Sequence, residues 1–499
     1  MLGGFQVRVG TKCRTFTDRT LSGIASEFSM TARIKSPSTP IRSFAAGLLC
    51  TLALSGTAEA QPTPLKTLAQ AHGIDIGVAV SFPGSGRAQY DSVLTRNFTG
   101  MVAENDHKWG NIQPTNGTFN WTNADRMVDF AQQFNMNLRF HAFVWHQQSS
   151  FMANGHSAGV AQPTNPNAFD RAGAFTEMRE HIGAVMQRYK TRNGGQLHVI
   201  KEWDVVNEAA ARDSGNDDPQ NLYGGMRRST GNSVNLDSGL SRWVGYTQGE
   251  TNDFDYIDSA FAIAHRNDTT ARLVYNDYDA EHMGKKGNTV YSLVSKLKSR
   301  GILIHVLGMQ CHWYIGPSNS GPSGAWDPQQ FVQNMNRIAA LGLDMSITEL
   351  DIRFANPSDS TKLAQQRAAY ENVLSMCLAQ PRCKRFYVWG IRDGSSWVNS
   401  RFPGYGTPLL FTGTGTTYTP KPAYDGLVHV LQTTTSIAAR SGSAFPGSAR
   451  RTRALQFRSD LPVRDVLGRS MPSLPDGRPA FAAQKPVASK SSAKRSAAP

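Results

Sequence analysis

Short β-branched, apolar runs alternate with amphipathic stretches along residues 61–432, and this alternation leaves few architectures open. Eight runs read as strands: IDIGVAV from Ile74, FTGMVAEN from Phe98, LRFHAFVWH from Leu138, HVIKEWDVVNE from His198, ARLVYNDYD from Ala271, ILIHVLGMQCH from Ile302, DMSITELD from Asp344 and CKRFYVWG from Cys383. Helical periodicity fills the intervals, as in ADRMVDFAQQFNM, AFTEMREHIGAVMQRY, DYIDSAFAIAHR and TVYSLVSKLKSRG, and PAYDGLVHVLQ closes the set. Strands buried on both faces and joined by helices belong to a parallel sheet. Eight such units predict an α/β fold of the TIM type, a closed (β/α)8 barrel in one domain.

The polar residues are not scattered. Nearly every strand is apolar at its start and ends in a polar or aromatic group, and in such barrels the chemistry sits at the C-terminal rim of the strands. Seven of the eight runs present candidates there: Glu104 and Asn105, His141 with Trp145 and His146, Asn207 and Glu208, Asn276 and Asp277, Gln310 with His312, Glu349 with Asp351, and Trp389. Together they converge on one cavity rich in carboxylates, amides and indoles. It has no glycine-rich phosphate loop and no HExxH spacing. His141 and His146 are five apart and face opposite sides of a strand, so neither a metal centre nor a cofactor is expected. Paired carboxylates among hydroxyl-binding amides and stacking indoles suit a sugar. One carboxyl, kept protonated, releases the leaving oxygen while the other attacks the anomeric carbon.

The net charge of +14 would suggest a nucleic-acid or membrane partner if it were spread evenly. It lies at the ends: +4 over residues 1–60 and +9 over 440–499, leaving +1 between them. No nucleic-acid partner is expected. Arg33, Lys35 and Arg42 precede the apolar run 44–54 and the small-residue sequence Ala58-Glu59-Ala60, which reads as a secretory signal cleaved before Gln61. That run falls short of the roughly 20 residues of a membrane span. Initiation at Met30 would place the signal at the start of the chain. The product is expected to be secreted or associated with the cell surface, and monomeric. Of the mature cysteines, Cys377 and Cys383 are six apart and could close a small disulfide loop, with Cys311 a buried thiol. Residues 433–499 form a basic, Ser-, Ala- and Pro-rich tail whose composition predicts disorder. The expected organisation is therefore a leader over 1–60, the barrel over 61–432 and this tail.

The segments AENDHKW, RFHAFVWHQQ, WDVVNEA, YNDYDAE, GMQCHW, ITELDI, VWGIRDGSSW, and PLLF followed by PKPAY occur in the order found in glycoside hydrolase family 10, and the chain resembles that family's endo-β-1,4-xylanases over nearly all of 61–432. The CLAQPRC pair resembles a cysteine loop of some members. The resemblance implies cleavage of xylan and xylo-oligosaccharides with retention, Glu208 being the acid/base and Glu349 the nucleophile. It further implies that Asn207 bonds the sugar 2-hydroxyl, that His312 holds the nucleophile and that Asp351 orients His312. Glu104, Asn105, Lys108, His141, Trp145, Gln148 and Gln310 would line the glycone subsites, with Trp389 and Trp397 closing over the ring. A tryptophan there would collide with the hydroxymethyl group of glucose, whereas xylose carries only hydrogen.

Three positions depart from the family pattern. Phe140 stands where glycine is usual, His107 where methionine is common and Val398 where arginine is usual, which puts the shape of the subsites in question. The connection 209–252, carrying Trp243, is long and rich in Gly, Ser, Asp and Asn; it would either shape the leaving-group side or recognise decorations, or be a disordered insertion. A retaining enzyme of β-glucan or aryl glycosides would share the catalytic residues. A noncatalytic sugar-binding scaffold would be expected to lack one of the two carboxylates.

Overall fold

A computed structural model of the chain describes residues 63–149, 171–192, 199–211, 225–227, 243, 255–316, 326–357 and 359–434. The leader, nearly all of the basic tail and most of the connection 209–252 lie outside the described residues. The eight expected strands form as β1 (Asp75–Val80), β2 (Gly100–Ala103), β3 (Asn137–Phe140), β4 (Ile200–Asn207), β5 (Leu273–Asp277), β6 (Val306–Met309), β8 (Asp344–Ala355) and β9 (Cys383–Val388), with a short extra strand β7 (His312–Ile315) after β6. Each barrel strand pairs in parallel with the next, and β9 pairs with β1 to close the ring. The fold is an eight-stranded parallel barrel wrapped by helices.

Three runs differ most from their sequence reading, the first being LRFHAFVWH, whose strand ends at Phe140 and leaves only an isolated bridge at Val144. ILIHVLGMQCH is broken into β6 and β7 because Cys311 adopts φ 61°, which interrupts the ladder and lets His312 restart it opposite Asp351. The run from Asp344 is longer than DMSITELD and continues to Ala355, since β7 and β10 (Tyr405–Gly406) supply partners for its outer half.

The helices bury the faces that their periodicity predicts. In Thr122–Gln133, Ala124, Met127, Val128 and Ala131 turn inward at helical spacing. Pro328–Ala340 starts at Asp327, whose carboxylate accepts the amides of Gln329 and Gln330. Cys377 and Cys383 form a disulfide, and Cys311 is a buried free thiol. No helix among the described residues is long and apolar enough to cross a membrane.

The barrel floor is closed by charges. Arg385 pairs with Glu202, and its Nε lies 3.1 Å from Asp75 Oδ2, which also accepts from the Tyr387 hydroxyl at 3.0 Å. Higher up, the fit is steric. A Cβ on Gly308 would stand 2.4 Å from Asn276 Oδ1, so this strand position leaves room for an amide that the rim uses.

Candidate active site

Glu208 directly follows β4, and Glu349 lies within β8, both at the C-terminal rim. Both are almost fully buried. Glu349 is held by two different groups. Asn276 Nδ2 donates to its Oε1 at 2.8 Å, and His312 Nε2 lies 3.2 Å from its Oε2. The same Asn276 Nδ2 donates to Asn207 Oδ1 at 2.8 Å, and Asn207 Nδ2 donates to Glu208 Oε1 at 3.2 Å. Gln310 Nε2 completes the lattice with bonds of 3.0 Å to Glu208 Oε1 and 3.4 Å to Asn207 Oδ1. The two carboxyl groups are thus joined by a chain of neutral amides. Thr348 Oγ1 donates to Asn276 Oδ1 at 2.7 Å, which fixes which end of that amide faces Glu349.

Electrostatics hold Glu349 in its charged form. Burial raises the Glu349 carboxyl, but the His312 hydrogen bond and the neighbouring His141, His312 and Arg139 outweigh it and bring the pKa down to about 2. His312 is lowered by burial and raised more strongly by Asp351, whose Oδ2 lies 2.8 Å from Nδ1, so its pKa reaches about 10. Near neutral pH His312 is therefore an imidazolium donating through both nitrogens, and Glu349 is ionised. Trp397 Nε1 donates to the same Asp351 oxygen at 2.7 Å, tying that indole to the histidine.

The residues expected around the sugar gather on two sides. Lys108 Nζ donates to Asn105 Oδ1 at 2.9 Å and lies 4.9 Å from the centre of the Trp145 ring, while Gln148 Nε2 is 3.5 Å from Asn105 Oδ1. Burial lowers the pKa of Lys108, against the opposing charges of Glu349, Glu104 and Glu208. Burial raises that of Glu104, with Lys108 opposing. On the other side Trp389 stands edge-on to His141 at 5.4 Å, and Trp397 meets His312 at 4.8 Å. The Gln310 amide donor is engaged by Glu208 and Asn207.

Sequence reasoning missed the layer beneath. Asp204 is fully buried, bound by Arg139 through two nitrogens and 2.7 Å from His141 Nδ1. A lone aspartate inside the apolar strand WDVVNE was the available signal, since a buried charge requires a partner. Asn276 was visible at the rim, but its bond to the nucleophile was not.

His141 and His146 do not converge. His141 meets Asp204, while His146 Nε2 lies 3.1 Å from Gln147 Nε2. Among the described residues, Asp279, Glu281 and His282 could offer donor atoms within 4.8 Å of one another. Trp313 Nε1 already donates to Glu281 Oε1 at 2.7 Å, and burial with the charge of Asp279 pushes the Glu281 carboxyl well above the carboxylate range.

The departures at His107 and Phe140 compensate each other. Their rings stack at 4.7 Å and 12°, both fully buried, with Phe143 and Trp203 packed against Phe140. Val398 is also fully buried. The described residues of the connection 209–252 reach the rim, among other contacts, through Arg227 and Trp243. Arg227 Nε donates to the Glu208 carbonyl at 2.7 Å, and Trp243 Nε1 donates to the Trp145 carbonyl at 3.1 Å.

Residues 64–430 match the model for Glycosyl hydrolase family 10. The chain is 28% identical over 409 residues to endo-1,4-beta-xylanase B of Humicola insolens, covering 78% of this chain and 98% of that relative. It is 32% identical over 336 residues to endo-1,4-beta-xylanase 1 of Gibberella zeae, covering 67% and 81%. Among solved structures it is similar to xylanase 10B from Thermotoga petrophila RKU-1 in complex with xylobiose, with a TM-score of 0.60 and 31% identity over 74% of this chain and 98% of that one.

Proposed function

The chain belongs to glycosyl hydrolase family 10, and from that premise we propose how its cleft cleaves xylan. The enzyme is a retaining endo-1,4-β-xylanase. Glu349 is the nucleophile. Held ionised by His312 and aimed by Asn276, it attacks the anomeric carbon and displaces the leaving oxygen. Glu208 donates its proton to that oxygen as the bond breaks. It then takes a proton from the water that attacks the same carbon, releasing Glu349 and restoring the original configuration. Asn207, bonded to Glu208 and Asn276, bonds the sugar 2-hydroxyl, a contact that strengthens as the ring approaches an oxocarbenium ion. Asp351 orients His312.

Glu104, Asn105, Lys108, His141, Trp145 and Gln148 hold the glycone sugars of xylan and xylo-oligosaccharides, Gln310 steadies Glu208 from the same side, and Trp389 and Trp397 close over the ring. The arrangement that carries this reading is the amide lattice joining Glu208 to Glu349, with one of the two carboxyls held ionised by an imidazolium. The protein acts as a monomer, without a nucleic-acid partner. Its export through a signal cleaved before Gln61 is checked by N-terminal sequencing of the mature product.

Product release from xylan and from a soluble β-1,4-glucan, by the parent and by Glu349→Ala, tests the residue roles. Xylo-oligosaccharides from the parent and a loss of about five orders of magnitude in the variant are expected. Glucan cleavage exceeding that of xylan would redirect the substrate reading. An active variant would remove Glu349 from its role.

A further inference from the structure

Glu208 has φ 56°, a left-handed conformation that a residue with a Cβ keeps only when its surroundings fix it. Here they do so from both directions. Glu208 N donates to Asn276 O at 2.9 Å. The two following amides, Ala209 N and Ala210 N, both donate to the Tyr275 hydroxyl at 3.1 Å. That hydroxyl in turn donates to Asp277 Oδ2 at 2.5 Å. Opposite them, the Glu208 carbonyl accepts from Arg227 Nε at 2.7 Å, a contact made by a residue 19 positions further along the chain.

Arg227 is placed there by the backbone. Ala211 N donates to Gly225 O at 2.8 Å and Arg227 N to Ala209 O at 3.0 Å, an antiparallel bridge that brings the connection back to the acid/base turn. Arg227 is 1% exposed, and its Nη2 also donates to the Tyr278 hydroxyl at 3.1 Å. Burying a guanidinium is costly unless it is well bonded, so a plain loop closure would not call for one here.

We propose that Arg227 is a positioning residue for the proton-transfer step: by bonding the Glu208 carbonyl it fixes the backbone on which the acid/base carboxyl is mounted. This rests on the reading of Glu208 as the acid/base. A carboxyl carried at the end of a side chain magnifies any rotation of its backbone, and a displacement of about 1 Å at a reacting group can cost roughly a hundredfold in rate. In kcat/KM, which reads the reaction only as far as departure of the leaving group, the effect should fall on proton delivery. When Glu349 bonds to the anomeric carbon of xylan, the departing alkoxide must take the Glu208 proton. A 2,4-dinitrophenolate departs with its electron pair and needs no proton.

The experiment compares kcat/KM on xylan and on 2,4-dinitrophenyl β-xylobioside for Glu208→Ala, Arg227→Met, Arg227→Lys and Tyr275→Phe, with melting curves as the folding control. Glu208→Ala should lose about a thousandfold on xylan and little on the dinitrophenyl substrate. Arg227→Met should show the same pattern on a smaller scale, about 10- to 100-fold on xylan through kcat, with KM unchanged. Arg227→Lys should recover part of that loss. Equal losses of Arg227→Met on both substrates, or no loss on either, would overturn the proposal. If Glu208→Ala itself lost both activities equally, the acid/base assignment would fall first and the proposal with it. Should Arg227→Met not fold, Tyr275→Phe loosens the same turn from the other side, and absence of the leaving-group dependence there overturns the proposal.

Discussion

The floor and the rim of this barrel both bury carboxylates, but they hold them by opposite means. At the floor Glu202 and Asp75 are bound by the guanidinium of Arg385, and Arg272 with Arg382 flanks Asp344. Charge there is neutralised where it stands. At the rim Glu208 and Glu349 receive their closest bonds from the amides of Asn207, Gln310 and Asn276 and from the single imidazolium of His312, with Arg139 no nearer to Glu349 than 3.8 Å. Amides fix direction without cancelling charge, so the rim carboxyls stay aimed and available. The floor should therefore answer to stability assays and the rim to kinetic ones.

The most severe way to break this contrast is to put a charge where the rim uses an amide. Asn276→Asp removes both donated bonds and places a like charge beside Glu349, and kcat on xylan should fall by about three orders of magnitude in a folded protein. At the floor, Arg385→Met leaves Glu202 buried without its guanidinium. Denaturant unfolding should show a loss of about 3 kcal/mol while kcat at a temperature well below unfolding stays within about twofold. If Arg385→Met proved inactive though folded, the division between the two ends would be wrong.

A finer test concerns pH. His312→Asn removes the imidazolium charge that helps depress Glu349, so the acidic limb of kcat/KM should move upward. The sign is set by the depressed carboxyl. Its contribution to stability is present above the ordinary carboxylate range and is lost as pH falls through about 2, so in the variant this loss begins at higher pH. An unchanged limb would mean that the imidazole does not control the nucleophile. The smallest effect is expected behind the site. His107→Leu should cost about 1 kcal/mol at most and leave the ratio of xylan to glucan products unaltered, because His107 stacks on Phe140 in the core.

How much of this was legible beforehand follows from how far apart the partners lie in sequence. The barrel could be read because each strand carries its own signal, an apolar run ending in a polar group. Glu208 and Glu349 could be read because each closes such a run within a recognisable motif. Arg139 and Asp204 are 65 residues apart, and nothing local to either names the other. His107 and Phe140 looked like two separate departures bearing on the subsites, and only their stacking shows that one accommodates the other. The break at Cys311 was hidden for a similar reason. A left-handed residue inside a continuous apolar run leaves no mark on the hydrophobic pattern, although it decides where His312 points.

The amide lattice also bears on how the enzyme ages. Side-chain amides hydrolyse slowly in hot solution, and conversion of Asn276 or Asn207 would deliver, without any mutation, the same acidic intruder that Asn276→Asp introduces by design. A preparation stored warm would then lose catalysis molecule by molecule. The guanidinium pairs at the floor carry no such clock, so this form of wear bears on the activity and not on the floor.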